Sequence, residues 1–260
     1  MPAKAGNPDA QYSPASGRGE QDPQTQSAPP PPAYPHMVSF SSPLVIGGSG
    51  GIGAAVADAL ERKAAVTRLS RRADGLDIAD EGSVAAAAAR LKDQRFDLIV
   101  VATGVLESAG ARPEKSFAEL DPAAMARVYA ANAVGPALIV KHFAPLLAGK
   151  ERSVFAFLSA RVGSIGDNRL GGWMSYRASK AALNQIVRCA AVELKRARPQ
   201  AIALALHPGT IDTALTKKYA GGRFTATPAE CAENLIRVCA VATPEMSGRF
   251  FAYDGAEIEW

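Results

Sequence analysis

The most restrictive feature of this 260-residue chain is a regular alternation of short apolar runs with longer amphipathic ones. FDLIVVAT (96–103) and AIALALH (201–207) are nearly continuous apolar runs, as is typical of strands buried on both faces. Segments 52–63 and 174–197 instead repeat their apolar residues at helical spacing. Strands that alternate with helices form a parallel sheet covered by helices on both faces. The sequence therefore predicts an α/β fold with one Rossmann-type, doubly wound sheet.

The same criteria predict the remaining elements of a single domain over residues 38–260. Its composition, 48% hydrophobic and 21% charged for the whole chain, is ordinary for a globular protein. Further strands are predicted at 42–47, 65–70, 153–159 and 249–253, and further helices at 83–93, 122–147 and 228–240.

Residues 1–37 differ from the rest of the chain. They hold half of the 18 prolines, including the run Pro29 to Pro32, and almost no aliphatic residues. A segment of this composition cannot bury enough apolar surface to offset the entropy lost on ordering. It also lacks the apolar run of a secretory signal. We therefore predict a disordered N-terminal tail.

Charge and residue spacing argue against several classes of function. The basic runs at 68–72 and 195–198 lack interleaved aromatics, so a nucleic-acid surface is not indicated. No run after the tail reaches the roughly 18 uninterrupted apolar residues of a membrane span, so we expect a soluble, cytoplasmic protein without a membrane partner. The cysteines and histidines are too scattered to suggest a disulfide framework or a metal site. They are Cys189, Cys231 and Cys239, and His36, His142 and His207.

A glycine-rich turn, GGSGGIG, connects the first predicted strand to the first predicted helix. Glycines in such a turn let backbone N–H groups approach a diphosphate at the positive end of the helix. Two other interpretations remain: a flexible linker, or the G-x-S-x-G nucleophile elbow of an α/β-hydrolase, with Ser49 as nucleophile. The residues predicted to contact a dinucleotide here are Gly47, Ser49, Gly51, Ile52 and Gly53.

Tyr176 and Lys180 lie four residues apart in the predicted helix 174–197 and so share one face of it. The pKa of a free tyrosine is near 10, and a neighbouring ammonium group favours the phenolate and lowers that value. The pair therefore indicates a general acid and base with a lowered phenol pKa.

Together, the glycine turn, the Y-x-x-x-K pair and a later Pro-Gly turn resemble the short-chain dehydrogenase/reductase superfamily over residues 42–260. The stretches KHFAPLL, SARVGSIGDNRLGGW and YRASKAALN, with the ending FFAYDGAEIEW, resemble more specifically its C-factor and sniffer-type carbonyl reductase branch. This resemblance implies hydride transfer between a nicotinamide cofactor and a small carbonyl or alcohol.

The resemblance also implies catalytic roles for individual residues. Tyr176 would exchange a proton with the substrate oxygen, and Lys180 would lower the phenol pKa and bind the nicotinamide ribose. Asn132 matches the asparagine that supports a water relay to that lysine. The usual catalytic serine position is occupied by Ala160, so Ser159, directly before it, or Ser164 would have to substitute.

Cofactor choice is predicted from the end of the second strand, where NAD enzymes carry an acid and NADP enzymes an arginine. Ser70, Arg71 and Arg72 stand there without a carboxylate, which favours NADP(H). The remaining residues that match cofactor contacts of the family are Asp77, Gly104, Pro208, Gly209 and Thr213. Asp77 is equally well interpreted as a helix-flanking acid. An ordinary turn is the alternative for Pro208-Gly209, and its position after the Y-x-x-x-K helix favours the cofactor contact.

A second function stays open, because the resemblance to C-factor also allows a cofactor-binding signalling or regulatory protein with little turnover. Ala160 is the residue that supports this alternative. In similar proteins the helices matching 122–147 and 174–197 pair across a two-fold axis, so a homodimer or homotetramer is expected.

Overall fold

The computed structural model describes residues 37–108, 110 and 112–260, so all of the predicted tail except Met37 lies outside the described residues. In the described part, six strands form one parallel sheet. They are β1 (Pro43–Ile46), β2 (Thr67–Leu69), β3 (Leu98–Val101), β4 (Ser153–Leu158), β5 (Ala201–His207) and β6 (Arg249–Ala252). Their order in the sheet is β2-β1-β3-β4-β5-β6.

This order confirms the predicted doubly wound α/β fold. The chain leaves β1 for β2 on one side and then crosses back to β3 on the other, so the winding direction reverses between β1 and β3. Ligands of such sheets bind at the carboxyl ends of the strands, at this switch point. Each predicted strand is present, although β2 is reduced to three residues.

Seven α-helices cover the sheet in the described part of the chain. Asp121 and Thr227 cap two of them through their side chains, each with proline at the following position, where a missing N–H costs nothing. The helices are α1 (Gly51–Glu61), α2 (Arg71–Asp74), α3 (Glu81–Arg90), α4 (Pro122–Tyr129), α5 (Gly135–Phe143), α6 (Met174–Ala197) and α7 (Pro228–Val241).

The long helix predicted at 122–147 is interrupted. Between α4 and α5 the chain forms a π-helical turn, Ala130–Val134, in which the Gly135 N–H bonds to the Ala130 carbonyl. The α-helical donor for the Asn132 carbonyl would be residue 136, which is a proline without an N–H. Regular α-helical pairing therefore fails at this carbonyl, and π-turns of this kind are frequent at functional sites.

The two faces of the sheet carry separate apolar cores. On one face Val84 of α3, Phe143 of α5 and Leu183 of α6 pack together, and on the other Val56 of α1 packs with Leu235 of α7. The strands are parallel, so their carboxyl ends and the loops that follow them lie at one edge of the sheet.

The segment Pro122–Leu146 meets the length and composition of a membrane span, with a mean hydropathy of 1.3 over its most apolar window. No such segment was predicted from the sequence. Ile139 and Phe143 within it are fully buried in the sheet core, and a core helix of a globular domain meets the same criterion.

Candidate active site

The glycine turn after β1 is held in a shape that only glycine allows at two positions. Gly47 has φ +90°, and a Cβ there would lie 2.9 Å from the Ala102 backbone at the end of β3. A Cβ on Gly53 would overlap the Gly47 carbonyl. Gly51 faces Thr213, whose Cγ2 would be 2.7 Å from an added Cβ. The turn thus forms a bare backbone surface beneath Thr213.

Ser49 and Ile52 lie on this turn in different environments. Ser49 is exposed, whereas Ile52 is half-buried and packs against the α1/α7 core. A hydrolase elbow holds its serine in a strained backbone. Among the described residues only Trp173 combines a side chain with a positive φ, so Ser49 is not in such a conformation. The structure gives the hydrolase interpretation no support.

Tyr176 and Lys180 lie in the first two turns of α6, above the end of β4. The Lys180 ammonium is buried, donates to the Leu158 carbonyl at 2.9 Å and lies 5.8 Å from the centre of the Tyr176 ring. Gly163 allows this approach, because a Cβ there would lie 2.8 Å from the Lys180 Cβ. Gly163 was not among the residues predicted from the sequence, although it follows Ala160 by only three positions.

Burial shifts the pKa of both groups in the direction of the uncharged form. It raises the pKa of Tyr176 to about 12 and lowers the pKa of Lys180 to about 8. The expected lowering of the phenol pKa is therefore wrong for this structure, since the cost of burying a phenolate outweighs the attraction of an ammonium 5.8 Å from the ring. At neutral pH Tyr176 therefore keeps its proton.

Asn132 connects the end of β3 to α6. Its Oδ1 accepts from Val105 N, and its Nδ2 donates to Val105 O and to Ser179 Oγ, at 2.8 to 3.0 Å. Ser179 Oγ in turn donates to the Tyr176 carbonyl at 2.8 Å. Both amide protons of Asn132 are used in these bonds, so its Nδ2 has no proton left to donate to a relay water. Ser179, three residues after Tyr176 on the same helix face, was missed from sequence.

The two candidate serines are both buried, and the hydroxyl group of each already makes a hydrogen bond within the protein. Ser159 Oγ donates to Asn184 Oδ1 at 2.6 Å, beneath the site, and Ser164 Oγ accepts from Asp167 N at 3.1 Å. Ser159 can donate to a substrate oxygen only by breaking its bond to Asn184. Ala160 itself is half-buried in extended backbone.

The end of β2 differs from the expectation in one respect. A single helical turn, α2, begins there: Ser70 caps it by accepting from Ala73 N, and the exposed Arg71 is its first residue. The turn brings the Asp74 carboxylate to 2.8 Å from Ser70 N. A carboxylate is therefore present at the strand end, contrary to the sequence interpretation, because α2 folds it back from four residues downstream.

The remaining predicted cofactor residues line the same edge. Gly104 is exposed beside Asn132 Oδ1 and Lys180 Nζ, which would lie 3.2 and 3.3 Å from an added Cβ. Asp77 is exposed, and its Oδ1 accepts from Ala79 N in a turn before α3. After β5 the chain turns at Pro208 and Gly209, where φ is +85°, and returns to Gly51 through Thr213.

Sequence reasoning also missed an aromatic cluster at the entrance of the site. The Trp173 ring lies 6.3 Å from Tyr176 and 5.6 Å from Tyr219, both edge-on. The Tyr219 hydroxyl donates to Glu107, whose carboxylate also lies 3.2 Å from Lys218 Nζ. These contacts join the loop after β3 to the loop after β5, and no local motif predicts such a pairing of distant loops.

Comparison with known proteins identifies the family. A family model described as enoyl-(acyl carrier protein) reductase, of the short-chain alcohol dehydrogenase type, matches residues 49–253. The chain belongs to the short-chain dehydrogenase/reductase superfamily. This confirms the resemblance seen in the sequence, and members of the superfamily are oxidoreductases that use nicotinamide cofactors.

Two relatives show how far the similarity extends. The 1-hydroxy-2-glutathionyl-2-methyl-3-butene dehydrogenase of Rhodococcus sp. strain AD45 is 36% identical over 186 residues, which is 72% of this chain and 79% of that protein. The C-signal protein of Myxococcus xanthus is 38% identical over 148 residues, which is 56% of this chain and 84% of that protein.

Solved structures show the same fold. The NADPH-bound carbonyl reductase from chicken fatty liver has a TM-score of 0.71 and 25% identity, covering 86% of this chain and all of that one. The carbonyl reductase Sniffer of D. melanogaster has a TM-score of 0.72 and 20% identity, covering 85% of this chain and all of that one.

The residues of this short-chain dehydrogenase/reductase fit a dinucleotide. Gly47 and Gly53 leave backbone where side chains would fill the approach to α1, and the α1 N-terminus has no side-chain cap of its own. The Thr103 hydroxyl, at the end of β3, is buried without a hydrogen-bond partner in the described structure. A ligand lying across these strand ends could satisfy it.

Proposed function

We propose that the chain is an NADP(H)-dependent oxidoreductase that interconverts a small carbonyl compound and its alcohol. The observation that carries this proposal is the Tyr176–Lys180 pair, which lies at the same sheet edge as the glycine turn. Lys180 Nζ lies beside Gly104, and the Gly47 backbone approaches Ala102, two residues before Gly104. Membership in the superfamily supports the reaction class.

In the direction of reduction, a bound nicotinamide would supply a hydride to the carbonyl carbon. Tyr176 donates its phenolic proton to the carbonyl oxygen, which converts the C=O group to an alcohol and leaves a phenolate. Lys180 stabilises that phenolate and is available to bind the ribose. Asn132 and Ser179 hold the backbone carbonyl of Tyr176 in α6 through hydrogen bonds. The phenol therefore keeps its position while its charge changes.

Preference for NADP(H) is supported by Arg71 and Arg72, exposed at the end of β2, and by the NADPH-bound carbonyl reductase of similar fold. A guanidinium group binds a 2′-phosphate with two hydrogen bonds. Asp74 opposes this, but its carboxylate already accepts from Ser70 N. Two exposed guanidinium groups therefore face one carboxylate that is already hydrogen-bonded, and this balance of charge favours binding of the 2′-phosphate.

The mechanism is tested with Tyr176→Phe, which removes one hydroxyl and keeps the ring that packs on Trp173. With NADPH and a panel of aldehydes, ketones and quinones, kcat should fall by about 10² to 10⁴ while NADPH affinity stays within about twofold. Lys180→Met should impair both turnover and binding. Wild-type turnover in Tyr176→Phe would reject the mechanism.

A second candidate is a cofactor-binding signalling or regulatory protein with little turnover. It is favoured by Ala160, by the bond of Ser159 to Asn184, and by the relative named C-signal. In that case NADPH would bind and Tyr176→Phe would leave the biological activity intact.

A further inference from the structure

Helix α6, which carries Tyr176 and Lys180, has no cap from its own sequence. Its N-cap residue is Trp173, which has φ 50° and ψ 40° and makes no side-chain cap hydrogen bond. A 24-residue helix leaves backbone N–H groups unpaired at its first turn. These N–H groups need hydrogen-bond acceptors from outside the helix.

Glu114, in the loop after β3, supplies the missing cap from 61 residues away. Its Oε2 accepts from Ser175 N at 3.2 Å, and its Oε1 accepts from Ser175 Oγ. Its backbone carbonyl accepts from Trp173 N at 2.5 Å. Glu114 is only 6% exposed and Ser175 4%, so these bonds are shielded from water.

These contacts hold Trp173 and Ser175, two of the three residues that directly precede Tyr176. Ser175 directly precedes Tyr176, and the Trp173 ring packs edge-on against the rings of Tyr176 and Tyr219. A carboxylate at a helix N-terminus is also favoured by the helix dipole. Burying a carboxylate costs free energy unless the carboxylate is well hydrogen-bonded, so Glu114 is not explained as an ordinary surface acid.

We propose that Glu114 is a positioning residue: it fixes the first turn of α6 and thereby the orientation of Tyr176 and Trp173. This inference rests on the proposed reductase function. Glu114 acts through Ser175 and Trp173 and touches neither the phenol oxygen nor, in the mechanism above, the substrate. Its loss should therefore lower turnover without a matching loss of cofactor affinity.

The kinetic test compares Glu114→Ala with Glu114→Gln in the full chain, using NADPH and 9,10-phenanthrenequinone as probes. Glu114→Ala removes both side-chain acceptors, and the resulting misplacement of the phenol should lower kcat by about 10- to 100-fold. Glu114→Gln keeps one acceptor oxygen and should recover part of that loss. The dissociation constant of NADPH should change less than about twofold in either variant.

The matched control is Glu119→Ala. Glu119 lies on the same loop, is exposed and accepts from Lys115 N at 2.9 Å, but has no contact with α6 among the hydrogen bonds described. Its kcat should equal that of the wild type. Unchanged kcat in folded Glu114→Ala, or equal losses of kcat and NADPH affinity, would overturn the proposal.

A second readout does not depend on turnover. The chain has two tryptophans, so Trp260→Phe leaves Trp173 as the sole emitter. In that background Glu114→Ala should shift the emission of Trp173 to longer wavelength and increase its quenching by acrylamide, while Glu119→Ala should do neither. Identical emission in the Glu114→Ala variant would overturn the positioning role.

The design also separates failure of this inference from failure of the proposed function. If the wild type reduces the quinone and Tyr176→Phe does not, the function stands, and a fully active Glu114→Ala rejects only the positioning role. If the wild type has no reductase activity, the function fails, and the Trp173 emission still decides whether Glu114 fixes this turn.

Discussion

At the scale of single residues, the proposed mechanism depends on one proton donor. A phenol is uncharged at neutral pH, and burial raises the pKa of Tyr176 further, to about 12, whereas the hydroxyl of Ser159 already donates to Asn184. Ala160, at the position where the family carries its serine, contributes no hydroxyl. In the proposed mechanism, the carbonyl oxygen of a substrate therefore receives a side-chain hydrogen bond from Tyr176 alone, without the second donor that a serine at position 160 would supply.

Restoring the second donor should raise activity. In Ala160→Ser the new hydroxyl lies on extended backbone (φ −151°, ψ 146°), which serine tolerates without strain. A hydrogen bond to an oxygen that gains charge in the transition state should increase kcat by about 10- to 100-fold in NADPH oxidation assays. Ser159→Ala is the control and should change kcat by less than about threefold. A larger loss in Ser159→Ala would identify that serine as a donor.

Cofactor choice is also decided by single residues. Arg71→Asp places a second carboxylate near Asp74, at the proposed location of the 2′-phosphate. The dissociation constant should rise about 10- to 100-fold for NADPH and much less for NADH, as measured by cofactor fluorescence. Equal losses for both cofactors would show that Arg71 does not bind the phosphate.

The sequence identified the residues that belong to a recognisable pattern, such as Tyr176 and Lys180 at helical spacing. It did not identify Glu114 or Tyr219, because their partners are far away in the chain and no local spacing encodes those contacts. The shift of the Tyr176 pKa was predicted in the wrong direction for the same reason. The charge of Lys180, four residues away, is visible in the sequence. The burial of Tyr176 depends on the folded structure and is not.

At the scale of elements, the path from α4 to α5 shows where local pattern is insufficient. The apolar spacing over 122–147 is that of one helix, yet the chain forms a π-turn at Ala130–Val134. Pro136 removes the N–H that would pair with the Asn132 carbonyl, and Gly135 lets the turn pack against Ile78. Both residues were visible in the sequence, but their effect depends on what the turn packs against.

The loop after β5 is a second element whose position depends on distant contacts. Tyr219→Phe removes the hydrogen bond to Glu107 and should loosen this loop, since the weaker contact from Lys218 alone is exposed to solvent. Trypsin should then cut faster after Lys217 and Arg223, and the KM for the carbonyl substrate should rise several-fold with kcat within about twofold. Unchanged proteolysis and KM would show that the contact has no role in holding the loop.

At the scale of the whole molecule, the sheet order brings the functional segments together. The glycine turn follows β1, Gly104 follows β3, Ser159 follows β4 and Pro208 follows β5, so parallel strands deliver all four to one edge. The alternating pattern was sufficient to predict this arrangement. It was not sufficient to predict how the loops meet above the edge, where the substrate would bind.

Assembly is a separate prediction at this scale. We expect a homodimer or homotetramer in which the segments 122–147 and 174–197 pair across a two-fold axis. Light scattering at micromolar concentration should give at least twice the chain mass of 27.1 kDa. A monomer under these conditions would contradict the expectation.

The proposed function requires that the protein transfers a hydride and does not merely bind the cofactor. The most direct measurement uses NADPH deuterated at the transferable C4 position, wild-type protein and 9,10-phenanthrenequinone or an aldehyde from the panel, with the product analysed by mass spectrometry. The aldehyde should yield an alcohol that carries one deuterium on the former carbonyl carbon, and Tyr176→Phe should yield almost none. Saturable NADPH binding by the wild type with no deuterated alcohol from any aldehyde or ketone in the panel would contradict it.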